Sequence, residues 1–290
     1  KAAGADIHPL SAKLLWQDTD ELVEQVALVN GRVQVKMGRS QGNALIAVYD
    51  KANPNAEDAK VLWSWHLWCT ATPKILEFVT SIYTGNNYKV MDRNLGATAT
   101  KAYLGTVQGL HYQWGRKDPF PSAENWTQKE KTLYTENSVT NVRFKVAEVE
   151  NLVESVREPL TYITNERSWG DWYTNSVSLM NYSLWLPNNK TIFDPCPIGW
   201  RVPPDNQPWK GLQAGSTEST QGIIHPEAGY YPFSNKRSPQ EGRLSVGLSH
   251  WASVASVDSS YPLGGYGYSW GQEWQPFWRA DGRSIRCVKE

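Results

Sequence analysis

Three closely spaced segments in the first quarter of the chain carry the pattern that most constrains the fold. In GRVQVKMG, apolar and polar residues alternate, so Val33, Val35 and Met37 face one way. ALIAVYD (44–50) is rich in strand-favouring residues, and VLWSWHLW (61–68) carries bulky side chains on both faces. We therefore predict a β-rich N-terminal region whose third strand is buried on both sides or covered by a neighbouring domain.

Length and composition exclude several classes of protein. A chain of 290 residues usually divides into two domains. Apolar residues make up 40% and charged residues 20%, as in globular rather than disordered proteins. The net charge of +0 argues against a nucleic-acid partner and against a polybasic membrane-binding surface. No apolar run reaches the roughly 18 residues of a membrane-spanning helix.

The middle of the chain loses clear periodicity at residues 70–86, where we place a domain boundary. Apolar residues at helical spacing in VRFKVAEVENLVESV predict a helix over 142–156. A second, short helix is predicted after Pro204, with Asp205 as its cap. The last 70 residues suggest short strands, HWASVASV and RSIRCV, separated by a long aromatic loop that ends at Trp278.

Five phrases occur in a fixed order: VMDRNLGA, YQWGRKDPFP, KTIFDPCPIGWRVP, HWASV and the closing GRSIRCVKE. Together they resemble the Fibrobacter succinogenes major paralogous domain, over roughly residues 86–290. The segment from LLWQD through GNALIAVYD to LWSWHLW is similar to the module that precedes this domain in fimbrillin-like surface proteins of Bacteroides-type bacteria.

The resemblance implies an α+β, β-rich fold in two parts. Residues 1–72 would form a partial β-sandwich, and the resemblance implies that its first strands lie upstream of this chain. Residues 73–290 would form a domain similar to C-type lectins and to the formylglycine-generating enzyme, with long loops. A calcium signature of the C-type lectins is absent from the sequence, and binding activity does not follow from a fold.

The same resemblance implies a role at the cell surface. We expect a non-catalytic protein of the outer membrane, held there through a lipid anchor upstream of this chain. Its expected role is that of an adhesin or fimbrial-tip component that binds a glycan or a host surface protein. The alternatives are a structural fimbrial subunit that assembles by strand exchange and, less favoured, an enzyme that acts on polysaccharide.

The expected export of the protein bears on the state of its cysteines, because an oxidising compartment allows disulfide bonds to form. Cys196 lies between two prolines that restrict its backbone, and Cys287 lies in the predicted terminal strand. We predict a bond between them, against the alternative of two buried free thiols. Cys69 is then left over as a small buried apolar residue. Arg201 is expected to pair with Asp92 or Asp194.

The sequence has 15 Trp and 14 Tyr, and their flat faces suit either sugar binding or the filling of a core. The aromatic residues of the predicted C-terminal loop are the candidate ligand-binding site. The alternative, which we favour for the group as a whole, is that they pack on one another and cap the core. They are Tyr261, Tyr266, Tyr268, Trp270, Trp274 and Trp278.

The sequence lacks the common catalytic motifs. It contains no nucleophile elbow, no zinc-protease motif and no phosphate-binding loop. No catalytic residue, metal site or cofactor is therefore predicted. His66, which has no second ligand at metal-binding spacing, is interpreted as a hydrogen-bonded core histidine.

Overall fold

The computed structural model describes residues 6–79, 87–100, 106–122, 131–136, 138–139, 145–147, 151–164, 171–174, 176–204, 249–255, 264–269 and 272–290. Strands dominate this part of the chain, and the only α-helix in it is six residues long. The predicted β-rich class is therefore confirmed at the level of several mainly antiparallel sheets. The sandwich and lectin-like identities stay predictions.

The N-terminal region contains five strands. They are β1 (Ser11–Gln17), β2 (Val23–Val29), β3 (Arg32–Met37), β4 (Gly42–Tyr49) and β5 (Val61–Cys69). β1, β4 and β5 form antiparallel neighbours in one sheet, with β4 in the middle. β2 and β3 form a hairpin that packs through Val23, Val26, Val33 and Val35 against one face of this sheet. The strands predicted from GRVQVKMG, ALIAVYD and VLWSWHLW are thus confirmed.

The rest of the described chain consists of short elements. They are β6 (Ile75–Val79), β7 (Asn87–Met91), β8 (His111–Tyr112), β9 (Tyr134–Thr135), β10 (Ser138–Val139), β11 (Lys145–Ala147), α1 (Leu152–Arg157), β12 (Thr161–Ile163), a 3-10 turn (Val177–Leu179), β13 (Trp200–Arg201), β14 (Ser249–Ala255), β15 (Gly264–Ser269), β16 (Gln272–Trp278), β17 (Arg283–Ser284) and β18 (Val288–Lys289). Two further sheets have the strand orders β13-β18-β7-β6 and β16-β15-β14-β17-β8, and β11 pairs with β12.

The first sheet draws strands from both sides of the predicted boundary after residue 72. Its order is β10-β9-β1-β4-β5, and Gln17 of β1 pairs with Tyr134 of β9. The main core also joins both regions, because Trp16 and Leu45 belong to the same buried cluster as Trp251. The division into residues 1–72 and 73–290 stays a prediction.

The predicted long helix over 142–156 is wrong for its first half. Residues Lys145–Ala147 form β11, which pairs in parallel with β12, and the helix α1 begins only at Leu152. The Asn151 side chain accepts a hydrogen bond from the Glu154 backbone N–H, which fixes that start. One of the valines that suggested helical spacing, Val146, lies in β11, which fits the preference of β-branched residues for strands. The helix predicted at Asp205 lies outside the described residues.

The C-terminal aromatic segment is not the loop that its glycines suggested. β15 and β16 form an antiparallel hairpin, and β15 also pairs with β14. Gly264, Gly265 and Gly267 are tolerated within β15 because neighbouring strands hold it on both sides. The predicted strand HWASVASV is confirmed as β14, whereas RSIRCV is divided between β17 and β18.

Large aromatic residues fill the main core. Five tryptophans in the described chain are almost fully buried: Trp16, Trp114, Trp172, Trp185 and Trp251. Three of them donate their indole N–H to distant backbone carbonyls, for example Trp114 to Ala252 at 3.0 Å and Trp251 to Tyr112 at 2.7 Å. The interpretation of Trp as core filling is therefore correct for these five residues.

Buried arginines lie against the core aromatics. The guanidinium of Arg279 lies 4.4 Å from the ring centres of both Trp114 and Tyr182. Its Nη1 is 3.4 Å from a carboxylate oxygen of Asp171, and both side chains are inaccessible to solvent. Arg116 lies in the same way against Phe120, at 4.9 Å. These cation–π contacts help to compensate for the burial of the positive charge.

The disulfide between Cys196 and Cys287 is present, as predicted, and joins residues that are 91 positions apart. Both cysteines belong to the main core. Cys69 is free and half-buried, and it packs against the cluster beneath the β2–β3 hairpin.

The predicted ion pair of Arg201 is wrong. Arg201 donates to the carbonyl of Pro187, because Asp194 is already occupied by Lys190 at 2.8 Å.

Candidate functional site

Strand β5 forms an edge of the first sheet in the described part of the chain, where its one strand partner is β4. Of the two predicted settings of β5, burial on both faces is wrong, because its residue Trp65 is exposed, whereas cover by a neighbouring domain stays a prediction. Trp65, which pairs with Ile46, is 39% exposed. Trp63 is half-buried and meets the ring of Phe193 at 5.8 Å. The bulky residues that suggested full burial instead form the wall of a groove.

The groove has a volume of about 1230 Å³ and runs along β5. All nine residues of β5 line it, together with residues of helix α1 and of the segment Lys190–Ile198. Lys117 contributes from beneath. Most of the groove is thus assembled from three regions that are distant in sequence, at 61–69, 153–157 and 190–198.

Exposed apolar side chains are concentrated around this groove. The structure describes eleven large apolar side chains that are exposed, and six of them line the groove. These six are Ile7, Met37, Trp65, Val153, Ile192 and Ile198. Isolated exposed apolar residues are ordinary on protein surfaces, but a contiguous set around a concave surface is typical of an interaction site.

A buried polar cluster lies behind the groove. Ser64 Oγ donates to Asp118 Oδ1 at 2.6 Å, and the Lys117 ammonium donates to both Ser64 and Asp118. The Lys117 nitrogen also lies 4.5 Å from the centre of the Trp63 ring. Burial lowers the pKa of Lys117, and Asp118 opposes that shift. Because the three groups bond to one another across β5 and the segment of Lys117 and Asp118, this cluster helps to hold β5 in place.

His66 belongs to a chain of hydrogen bonds that connects the groove to the core. Its Nε2 lies 3.0 Å from Asn43 Oδ1, and its Nδ1 lies 3.2 Å from the hydroxyl of Tyr112. Asn43 in turn donates to Asp18 at 2.8 Å. Since the Asn43 oxygen can only accept, Nε2 carries the proton and Tyr112 donates to Nδ1. His66 is thus a hydrogen-bonded core histidine, as predicted, and burial lowers its pKa to about 4.

Two buried groups, His66 and Asp171, change the stability of the fold in opposite directions as the pH changes. His66 favours its neutral form in the fold, so its contribution to stability is lost as the pH falls from about 6.5 to 4. Burial raises the pKa of Asp171 to about 6, so its contribution is lost as the pH rises from about 4 to 6. Each effect is worth about 3 kcal/mol, and the two have opposite signs.

Substitution should separate these effects. In His66→Gln, we expect the free energy of unfolding to fall as the pH rises from 4 to 6.5, because the Asp171 effect remains. In Asp171→Asn, we expect it to rise over the same interval. Urea unfolding at several pH values measures both slopes, and two variants with parallel pH profiles would contradict these assignments.

The loop at one side of the groove is held rigidly. Oδ1 of Asp194 accepts from the backbone N–H of Cys196 at 2.9 Å, and Oδ2 accepts from that of Val202 at 3.0 Å. Gly199 has a φ of +78°, a conformation that favours glycine. The backbone N–H of Trp200 closes the turn on the Pro197 carbonyl at 3.0 Å. At the tip of this loop, Ile198 is 97% exposed.

The six aromatic residues predicted as a ligand site lie elsewhere. Trp278 ends β16 and is 37% exposed, while Tyr266 and Tyr268 lie on β15 and Trp274 on β16. Tyr261 and Trp270 lie outside the described residues. Trp278, the one of the six whose side chain the structure describes, is not among the residues that line the β5 groove, so the aromatic site stays a separate prediction. The clustering of Trp63, Trp65 and Trp68 on β5 was the signal for the groove, and it was interpreted as burial.

Comparison with protein-family models, with curated proteins and with solved structures gives no match for this chain. Among the described residues, no three His, Cys, Asp or Glu side chains are grouped as a metal site would require. The same part of the chain contains no helix with the length and apolar character needed to cross a membrane. The β5 groove is therefore assessed on its own chemistry.

Proposed function

We propose that this protein is a non-catalytic cell-surface protein that binds the apolar surface of another protein in the β5 groove. The observation that carries the proposal is the concentration of exposed apolar side chains around that groove. The resemblance of the sequence to fimbrillin-like surface proteins supports an adhesin or a fimbrial-tip component. In that role the partner would be a host surface protein.

The chemistry of the groove favours a protein partner over a glycan. Sugar hydroxyls need hydrogen-bonding groups, because a polar group that is buried without a partner costs free energy. Most polar side chains along the groove are used within the protein: Ser64 and Lys117 bond to Asp118, His66 bonds to Asn43 and Tyr112, and Lys190 bonds to Asp194. Arg157, which is exposed, also lines the groove. Apolar side chains of a partner can be buried there without breaking those bonds.

A second candidate function is that of a structural subunit that assembles by strand exchange. The free edge of β5 supports it, since the described chain places no strand against that edge. An added strand would find main-chain hydrogen bonds there and apolar side chains beside it. This candidate predicts that a peptide of alternating apolar residues slows hydrogen exchange at the amides of β5, whereas binding through side chains alone would leave those amides unchanged.

The variant Trp65→Asp tests the main proposal. We expect it to weaken binding to purified host extracellular-matrix proteins by at least tenfold, because it places a charge in the apolar groove, where aromatic residues often dominate binding energy. The matched control is Leu179→Asp, at a residue that is 63% exposed and lies outside the groove. Surface plasmon resonance measures the affinities, with enzymatically released glycans arrayed in parallel.

The outcomes of this experiment are distinct. Weakened binding in Trp65→Asp, with native binding in Leu179→Asp, supports the groove. Equal binding by both variants and the native chain would contradict it. Binding to the released glycans alone, unaffected by Trp65→Asp, would instead favour the aromatic residues around Trp278 as the site.

A further inference from the structure

The loop Pro195–Gly199 forms an apolar projection next to the β5 groove. Ile198 projects almost entirely into solvent, although the exposure of an aliphatic side chain is unfavourable. The loop carries two prolines, and the disulfide attaches it to Cys287 in the main core. At its other end, the backbone N–H of Glu290 donates to the carbonyl of Gly199 at 3.1 Å. A projection held in this way loses little conformational entropy when it binds.

The projection and the groove lie on the same surface, because Ile198 is itself one of the residues that line the groove. A surface that contains both a projecting apolar residue and an apolar depression is self-complementary. Such a surface can meet an identical copy about a two-fold axis, with each projection in the other copy's groove. The chain has a net charge of +0, so two copies do not repel each other through their overall charge.

We propose that a second copy of this chain occupies the groove when no other partner is bound, and that Ile198 of each copy inserts into the β5 groove of the other. This inference rests on the proposed function, since it takes the groove to be a protein-docking surface. The reciprocal dimer covers the groove and the projection together. A partner that binds the groove then competes with the dimer.

Analytical ultracentrifugation of the full chain tests the proposal. We expect a concentration-dependent dimer for the native protein, and at least a tenfold weaker dimer for Ile198→Asp and for Trp65→Asp. Leu179→Asp should dimerise like the native protein. Ile198 is exposed, so its substitution should leave the melting temperature unchanged. If Ile198→Asp nevertheless fails to fold, Ile198→Ser replaces it.

Mixing the two defective variants gives the sharpest test. A mixture of Ile198→Asp and Trp65→Asp can form a heterodimer with one intact contact, in which the native Ile198 enters the native groove. The mixture should therefore associate at least tenfold more tightly than either variant alone.

A native protein that stays monomeric at every concentration overturns the proposal, and so does a dimer that is unaffected by Ile198→Asp or a mixture without recovery. A failed dimer leaves the proposed function open to its own test, because that test compares the host-protein affinities of Trp65→Asp and Leu179→Asp and needs no dimer.

Discussion

Replacing Cys196 and Cys287 together by alanine is expected to lower the free energy of unfolding by about 4 kcal/mol. The disulfide joins positions 91 residues apart, and a loop of that length restricts the unfolded chain strongly. It also connects the loop that carries Ile198 to the closing segment before β18. Urea unfolding under non-reducing conditions measures the loss.

The third cysteine provides the control for this prediction. Cys69→Ala removes a half-buried thiol that has no disulfide partner, so we expect a loss below about 1 kcal/mol. If the double variant lost no more stability than Cys69→Ala, the disulfide would not be an important constraint on the fold. The account predicts a clear difference between the two.

Replacing Arg279 by alanine is expected to cost about 3–5 kcal/mol at neutral pH. The substitution removes the positive charge beside the buried carboxylate of Asp171 and the guanidinium that lies between Trp114 and Tyr182. It also leaves a cavity in the core. Thermal and chemical unfolding of the variant measure the cost.

The pH dependence of this variant separates the two causes. The pKa of Asp171 is already raised to about 6, and removal of Arg279 raises it further. At pH 5 the carboxyl group is then protonated, so the loss in Arg279→Ala should be smaller at pH 5 than at pH 7.5. Adding Asp171→Asn should recover stability at pH 7.5 in the same way. Equal losses at both pH values would indicate that the cavity alone is responsible.

Local sequence patterns predict the elements of this protein better than their surroundings. Alternation identified β3, because a strand with two unlike faces shows a period of two, whereas β4, which is buried along its whole length, was identified by its strand-favouring composition. The disulfide followed from the expected compartment and from two cysteines in restricted settings. By contrast, the glycines of β15 suggested a loop, because their place between two other strands depends on pairing that a local pattern does not contain.

The groove could not be predicted for a related reason. The composition of VLWSWHLW indicated contact with other residues on both faces. Such contacts exist, because Tyr112 bonds to His66 and Phe193 packs against Trp63. Whether the edge of such a strand is covered depends on residues more than 80 positions away, in α1 and in Lys190–Ile198. Their positions next to β5 are a property of the tertiary fold.

Hydrogen–deuterium exchange of the protein, measured free and bound to the matrix protein that it binds most tightly, locates the docking surface. We expect slower exchange on binding in β5 and in the segment Lys190–Ile198, with β15 and β16 unchanged. Slower exchange confined to β15 and β16, with β5 unaffected, would contradict the assignment of the β5 groove as the docking surface.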